Sequence, residues 1–164
     1  LETTNRGGYG NSKMLAPENR TLKNAYLVSR WLIEKSVARL RRDNYTASQF
    51  SLFLRIQNPK SRWGNSIKTY YSQDTAHFLD INRRLWRMMY SQKQPYLISS
   101  ISVHLGNILP LNNRPGEMLL PMEMAKKNDR ERLSRTLDTI NKRFGASTIT
   151  YGINKAHNGF FERG

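Results

Sequence analysis

Gly7-Gly8-Tyr9-Gly10-Asn11-Ser12-Lys13 has the glycines and the terminal lysine of a loop that could wrap a phosphate. The match ends there. No glycine precedes the lysine, and Met14 stands where a serine or threonine would bind magnesium. Lys13 also occupies the place of the third glycine in a dinucleotide fingerprint. The run is expected to be a flexible entry into a strand. His77, His104 and His157 fall on three different elements, without the paired spacing of metal ligands, and each reads as a solvent-facing histidine. Helix capping and solvated charge account for Asp74, Asp80, Asp129, Glu131 and Asp138. No pair suits acid–base work, and no carboxylate cluster suits two-metal catalysis. The absence of cysteine excludes a thiol nucleophile, a disulfide scaffold and cysteine-ligated zinc. The chain is expected to be non-catalytic, with no metal and no cofactor.

The remaining chemistry is cationic. Lys and Arg total 27 against 12 Asp and Glu, a net charge of +15. Such an excess repels itself in the folded state and calls for a polyanionic partner. Nucleic acid is the first expectation, an anionic membrane surface the second. Residues 1–109 hold 17 basic and 6 acidic side chains, and residues 110–164 hold 10 and 6, so the binding face is expected in the first two-thirds. Arg55, Ser61, Arg62 and Lys68 lie on or beside one expected hairpin, and Asn11, Ser12 and Lys13 lie on a strand that could join the same sheet. Hydroxyls, strand amides and arginine heads are groups that contact phosphate oxygens without reading sequence. Arg39, Arg41 and Arg42 read as a solvated helix face. Phe53, Tyr70 and Tyr71 could stack on bases or pack across the hairpin.

The elements that must position these groups follow from periodicity. Tyr9–Ala16 reads as a short strand, and Thr21 as the cap of a helix from Leu22 to Asp43. Leu22, Ala25, Tyr26, Leu32, Ile33, Val37 and Leu40 form that helix's apolar stripe. Phe50, Leu52, Leu54 and Ile56 alternate with polar neighbours over residues 48–57. Asn58-Pro59-Lys60 turns the chain into a second strand over 62–71. Ser72 or Asp74 caps a helix over 74–92, and residues 98–105 alternate again. The pattern is β-α-β-β-α-β. It predicts an α+β, two-layer domain with a four-stranded sheet and two helices on one face, plus a C-terminal helical extension. The open face should carry Asn11, Lys13, Ser51, Arg55, Ser66, Lys68, Tyr70, Ser100, Ser102 and His104. Residues 8–109 form the expected domain and 110–128, rich in Pro and Asn, the linker. Residues 129–164 hold a helix from Asp129 to Phe144, a short strand over 148–151 and a tail. Hydrophobic residues make up 38% of the chain, enough for a core. No apolar run is long enough to span a membrane, and no signal-peptide pattern is present. A first residue of Leu1 leads us to expect a piece of a longer protein.

Leu137-Asp138-Thr139-Ile140-Asn141-Lys142-Arg143-Phe144-Gly145, followed by Ser147-Thr148-Ile149, resembles the tail of UmuC-like Y-family translesion DNA polymerases. Glu34 to Arg41 is similar to the first helix of that family's little-finger domain, also found in DinB-like and ImuB-like members (the impB/mucB/samB family). Tyr9-Gly10-Asn11-Ser12-Lys13 looks like its first strand, and the order of elements agrees over residues 8–151. The resemblance implies a domain that clamps primer–template duplex through its phosphates. It also implies upstream palm, fingers and thumb domains, a cytoplasmic, nucleoid-associated polymerase, and a role in DNA repair and the SOS response. The implied contacts fall on Asn11, Ser12, Lys13, Arg55, Ser61, Arg62, Lys68, Ser100, Ser102 and His104. The family's fourth strand often carries arginines where this chain has Ser99, Ser100, Ser102 and His104, so contact there would come from hydroxyls and amides. UmuC-like relatives place a sliding-clamp peptide where this chain reads Glu117-Met118-Leu119-Leu120-Pro121, which lacks the glutamine and the aromatic. Met118, Leu119 and Leu120 are the candidate docking residues. The alternative reading is an interaction module that docks a sliding clamp or a recombinase filament.

Overall fold

A computed structural model describes residues 7–113, 121–145 and 149–152. The elements are β1 (Gly8–Met14), α1 (Leu22–Arg42), β2 (Tyr45–Ile56), β3 (Ser61–Ser72), α2 (Thr75–Lys93), β4 (Ile98–Pro110) and α3 (Pro121–Phe144). The strands form one antiparallel sheet in the order β1-β4-β2-β3. The expected α+β class and β-α-β-β-α-β order are met.

Alternation sets which side of the sheet is buried. Phe50, Leu52, Leu54 and Ile56 of β2 and Ile98, Ile101, Val103 and Leu105 of β4 turn inward and are buried. Ala25, Val28, Leu32, Ile33, Val37 and Leu40 of α1 and Phe78, Ile81, Leu85 and Met89 of α2 meet them at helical spacing. Helix α1 lies on β1, β4 and β2, and α2 lies on β2 and β3, so both cover one face. Thr21 caps α1 by accepting from the Asn24 amide at 3.3 Å. Asp74 caps α2, accepting from the amides of Ala76 and His77.

Three expectations change. Strands β2 and β4 are longer than the alternating runs suggest, and Tyr45 pairs with Pro110. Helix α3 begins at Pro121, eight residues before Asp129. A proline suits the first turn because its missing amide hydrogen would have had no intrahelical partner. Ile149 to Gly152 is not a strand. The Asn141 side-chain amide takes the place of a strand partner there, donating to the Ile149 carbonyl at 2.9 Å and accepting from its amide at 2.8 Å. No helix among the described residues is long and apolar enough to cross a membrane.

Candidate nucleic-acid interface

The face opposite the helices is built in cross-strand rows. Opposed residues lie on the same side of the sheet, so the register assigns them directly. Gly8, Gly106, Gln49 and Lys68 form one row, and Gly10, His104, Ser51 and Ser66 the next. Ser12, Ser102, Phe53 and Gly64 follow, then Met14, Ser100, Arg55 and Arg62. None of these positions holds Asp or Glu. Ser12 donates to Ser102 at 2.9 Å, and the Ser51 and Ser66 hydroxyls meet at 2.7 Å. The surface is thus a floor of glycine and serine with Arg55, Arg62 and Lys68 on its β2–β3 side. Such a floor lets a sugar–phosphate backbone come close, and hydroxyls and guanidinium groups can bond its oxygens.

Both large rings on this face rest on glycines. A Cβ at Gly8 would lie 2.5 Å from the His104 Nε2 and equally close to the Leu105 carbonyl. At Gly64 it would lie 2.4 Å from Cδ1 of Phe53. Gly8 and Gly10, taken as part of a flexible entry, are therefore strand positions that seat an imidazole. The signal was present in the sequence as glycines opposite His104, but only the register between β1 and β4 reveals it.

Seven of the expected contact residues, Ser12, Arg55, Arg62, Lys68, Ser100, Ser102 and His104, come together on the open face. Asn11 and Lys13 do not. They share the side of Tyr9, and Asn11 donates to Ser36 of α1 at 2.7 Å while accepting from Arg39 at 3.2 Å. Ser61 pairs with Ile56, on the side of the core. Tyr70 also leaves the open face. It stacks on His77 of α2 with ring centroids 4.3 Å apart, and Lys127 of α3 sits 4.5 Å from its ring. His77 is consequently not solvent-facing. Burial first, then the charges of Arg130 and Lys127, lower its pKa to about 4.

Arg41 is the other correction. It is not part of a solvated face: its side chain is 3% exposed and ion-paired with Asp138. The remaining clamp-docking candidates, Met118, Leu119 and Leu120, lie outside the described residues. Among the described residues no group of three or more His, Cys, Asp or Glu could hold a metal ion.

Residues 6–118 match the family model described as the impB/mucB/samB family C-terminal domain. No curated protein matches the sequence. The chain is similar to a solved Y-family DNA polymerase chimera, Dbh-Dpo4(243-245)-Dbh, with a TM-score of 0.53 and 14% identity, over 64% of this chain and 29% of that one. A post-insertion binary complex of Dbh DNA polymerase gives a TM-score of 0.53 and 14% identity, over 63% and 29%. A looser likeness, TM-score 0.45 and 11% identity, relates 70% of the chain to 97% of the little finger domain of PolIV in a complex with the beta-clamp processivity factor. The chain spans 29% of the length of the first two solved polymerases. At these identities the likeness is one of fold.

Proposed function

The chain belongs to the impB/mucB/samB family, of which it carries the C-terminal domain, and from that premise we propose that it is a non-catalytic module that grips primer–template DNA. The observation that carries this reading is the composition of the open face. It holds Arg55, Arg62 and Lys68 among glycines and serines and no acidic residue. In a protein of net charge +15 this supports phosphate contact with little sequence preference. Residues 8–109 form the gripping unit. Arg55, Arg62 and Lys68 hold phosphates electrostatically, and Ser12, Ser100 and Ser102 bond them through hydroxyls and nearby amides. The parent protein is a translesion DNA polymerase whose palm, fingers and thumb precede this domain. It works in DNA repair, on the nucleoid. Docking of a sliding clamp by Met118, Leu119 and Leu120 is supported by their position alone.

Binding to primer–template duplex, titrated against salt, tests the reading. The logarithm of the affinity should fall linearly with the logarithm of the salt concentration, and duplexes of different sequence should bind alike. Binding that is indifferent to salt would contradict it.

A further inference from the structure

Phe53 is half exposed on a central strand, where an apolar side chain gains nothing by facing water. The edge of its ring rests against Gly64, as the 2.4, 2.9 and 3.5 Å approaches of Cδ1, Cε1 and Cγ to a Cβ built there show. The Cδ1–Cε1 edge of the ring is therefore against the sheet, and half of the residue is open to solvent. Beside it is a shallow depression of about 670 Å³, bordered by Ser12, Met14, Arg55, Arg62 and Ser102. Met14 is 62% exposed at its rim.

Arg55 and Arg62 are directly opposed across β2 and β3. Like charges in that relation destabilise a sheet. Neither guanidinium has a hydrogen bond or ion pair to any described residue. An anion between them would remove the repulsion. The two features suit two parts of one ligand, a base and its phosphate, and they stand on neighbouring rows of the face beside one depression.

We propose that this end of the open face seats an unpaired nucleotide of single-stranded DNA, its base on Phe53 and its phosphate between Arg55 and Arg62. A duplex does not fit the ring as well, because its base faces are stacked on one another and only edges are offered in the groove. A base released from the stack offers a face, and aromatic platforms beside cationic side chains bind such bases with little regard to sequence. The proposal deepens the DNA-gripping reading and rests on it: the same sheet holds duplex along its small-residue floor and takes a single-stranded nucleotide beside the β2–β3 turn.

The test compares three labelled DNAs against the full chain: a blunt duplex, the same duplex with a single-stranded thymidine overhang, and that overhang with abasic nucleotides. The base-bearing overhang should bind about 5- to 100-fold more tightly than the abasic one, the range expected for one or two stacked bases. F53A should abolish that difference, and F53W should keep it, which separates stacking from a folding defect. R55Q/R62Q should weaken both overhang DNAs alike. Equal binding of base-bearing and abasic overhangs by the wild type, or a base-dependent gain that survives F53A, would overturn the seat. Tight binding to blunt duplex with no gain from an overhang would leave the gripping reading intact and remove the seat alone. Binding to the overhang with none to blunt duplex would keep the seat and contradict the gripping of duplex.

Discussion

Asp138 of α3 holds Arg41 of α1 through both carboxylate oxygens, Nε to Oδ2 at 2.6 Å and Nη2 to Oδ1 at 2.8 Å. The remaining nitrogen of the same guanidinium donates to the Gln73 carbonyl at 2.8 Å and the Thr75 hydroxyl at 2.7 Å. One buried cation thus ties α1, the start of α2 and the third helix together. Its charge is tolerated because a carboxylate faces it and four of its five N–H groups are bonded.

Removing the carboxylate should therefore loosen α3 from the two-layer domain. We expect D138A to lose about 2 kcal/mol of stability in urea unfolding, since the pair is charge-assisted but a third open to water on the aspartate side. R41A should cost at least as much. A loss below about 0.5 kcal/mol for D138A, the size of an exposed surface pair, would show that the bridge does not hold the helix.

His77 makes stability depend on pH. Its pKa in the fold is about 4, below the ordinary 6.5. Between those values the unfolded chain binds the proton and the fold resists it, so stability should fall as pH drops from about 6.5 toward 4. Among the described residues, Lys127, Arg130 and Arg84 oppose the imidazolium and Asp80 favours it. Chemical unfolding at several pH values should show a steeper loss for the wild type than for H77Q in that window. Parallel curves for the two proteins would refute the assignment.

Gly8 brings the edge strand close to β4, where a Cβ would meet the Leu105 carbonyl at 2.5 Å as well as the His104 ring. A carbonyl in a ladder cannot swing away as a side chain can. G8A should destabilise by about 1–3 kcal/mol, the usual cost of overpacking, and H104A in the same chain should not restore the loss. Full rescue by H104A would mean that only the imidazole is in the way.

How far the sequence is legible depends on where each partner lies. Phe50, Leu52, Leu54 and Ile56 reveal their face through their own alternation, and the stripe from Ala25 to Leu40 does the same for α1. The β1 face is harder to read, because Tyr9 is inward and sends its hydroxyl to Asp43 at 2.8 Å, carrying polar Asn11 to the same side. Tyr70 follows Lys68 by two residues and should share its face. Near the irregularity between Ala47 and Gln49 the strict alternation is lost, and the ring turns to His77 instead. Arg41 looks like its neighbours Arg39 and Arg42, since nothing local announces a partner 97 residues away. Phe53 could be seen as stacking or packing from sequence. The register opposite Gly64 places it on the open face, half exposed.

The central claim is that the open sheet face, rather than diffuse charge, grips DNA. Charge reversal separates the two. R55E/R62E/K68E changes the open face, whereas R83E/R84E/R87E changes an exposed side of α2 by the same number of charges. The measurement is the slope of log affinity against log salt for primer–template duplex, determined for both triple variants. The first variant should bind far more weakly and lose roughly 2–3 from the slope, about 0.9 per phosphate contact, while the second stays near the wild type. Equal losses of affinity and slope in both would contradict it.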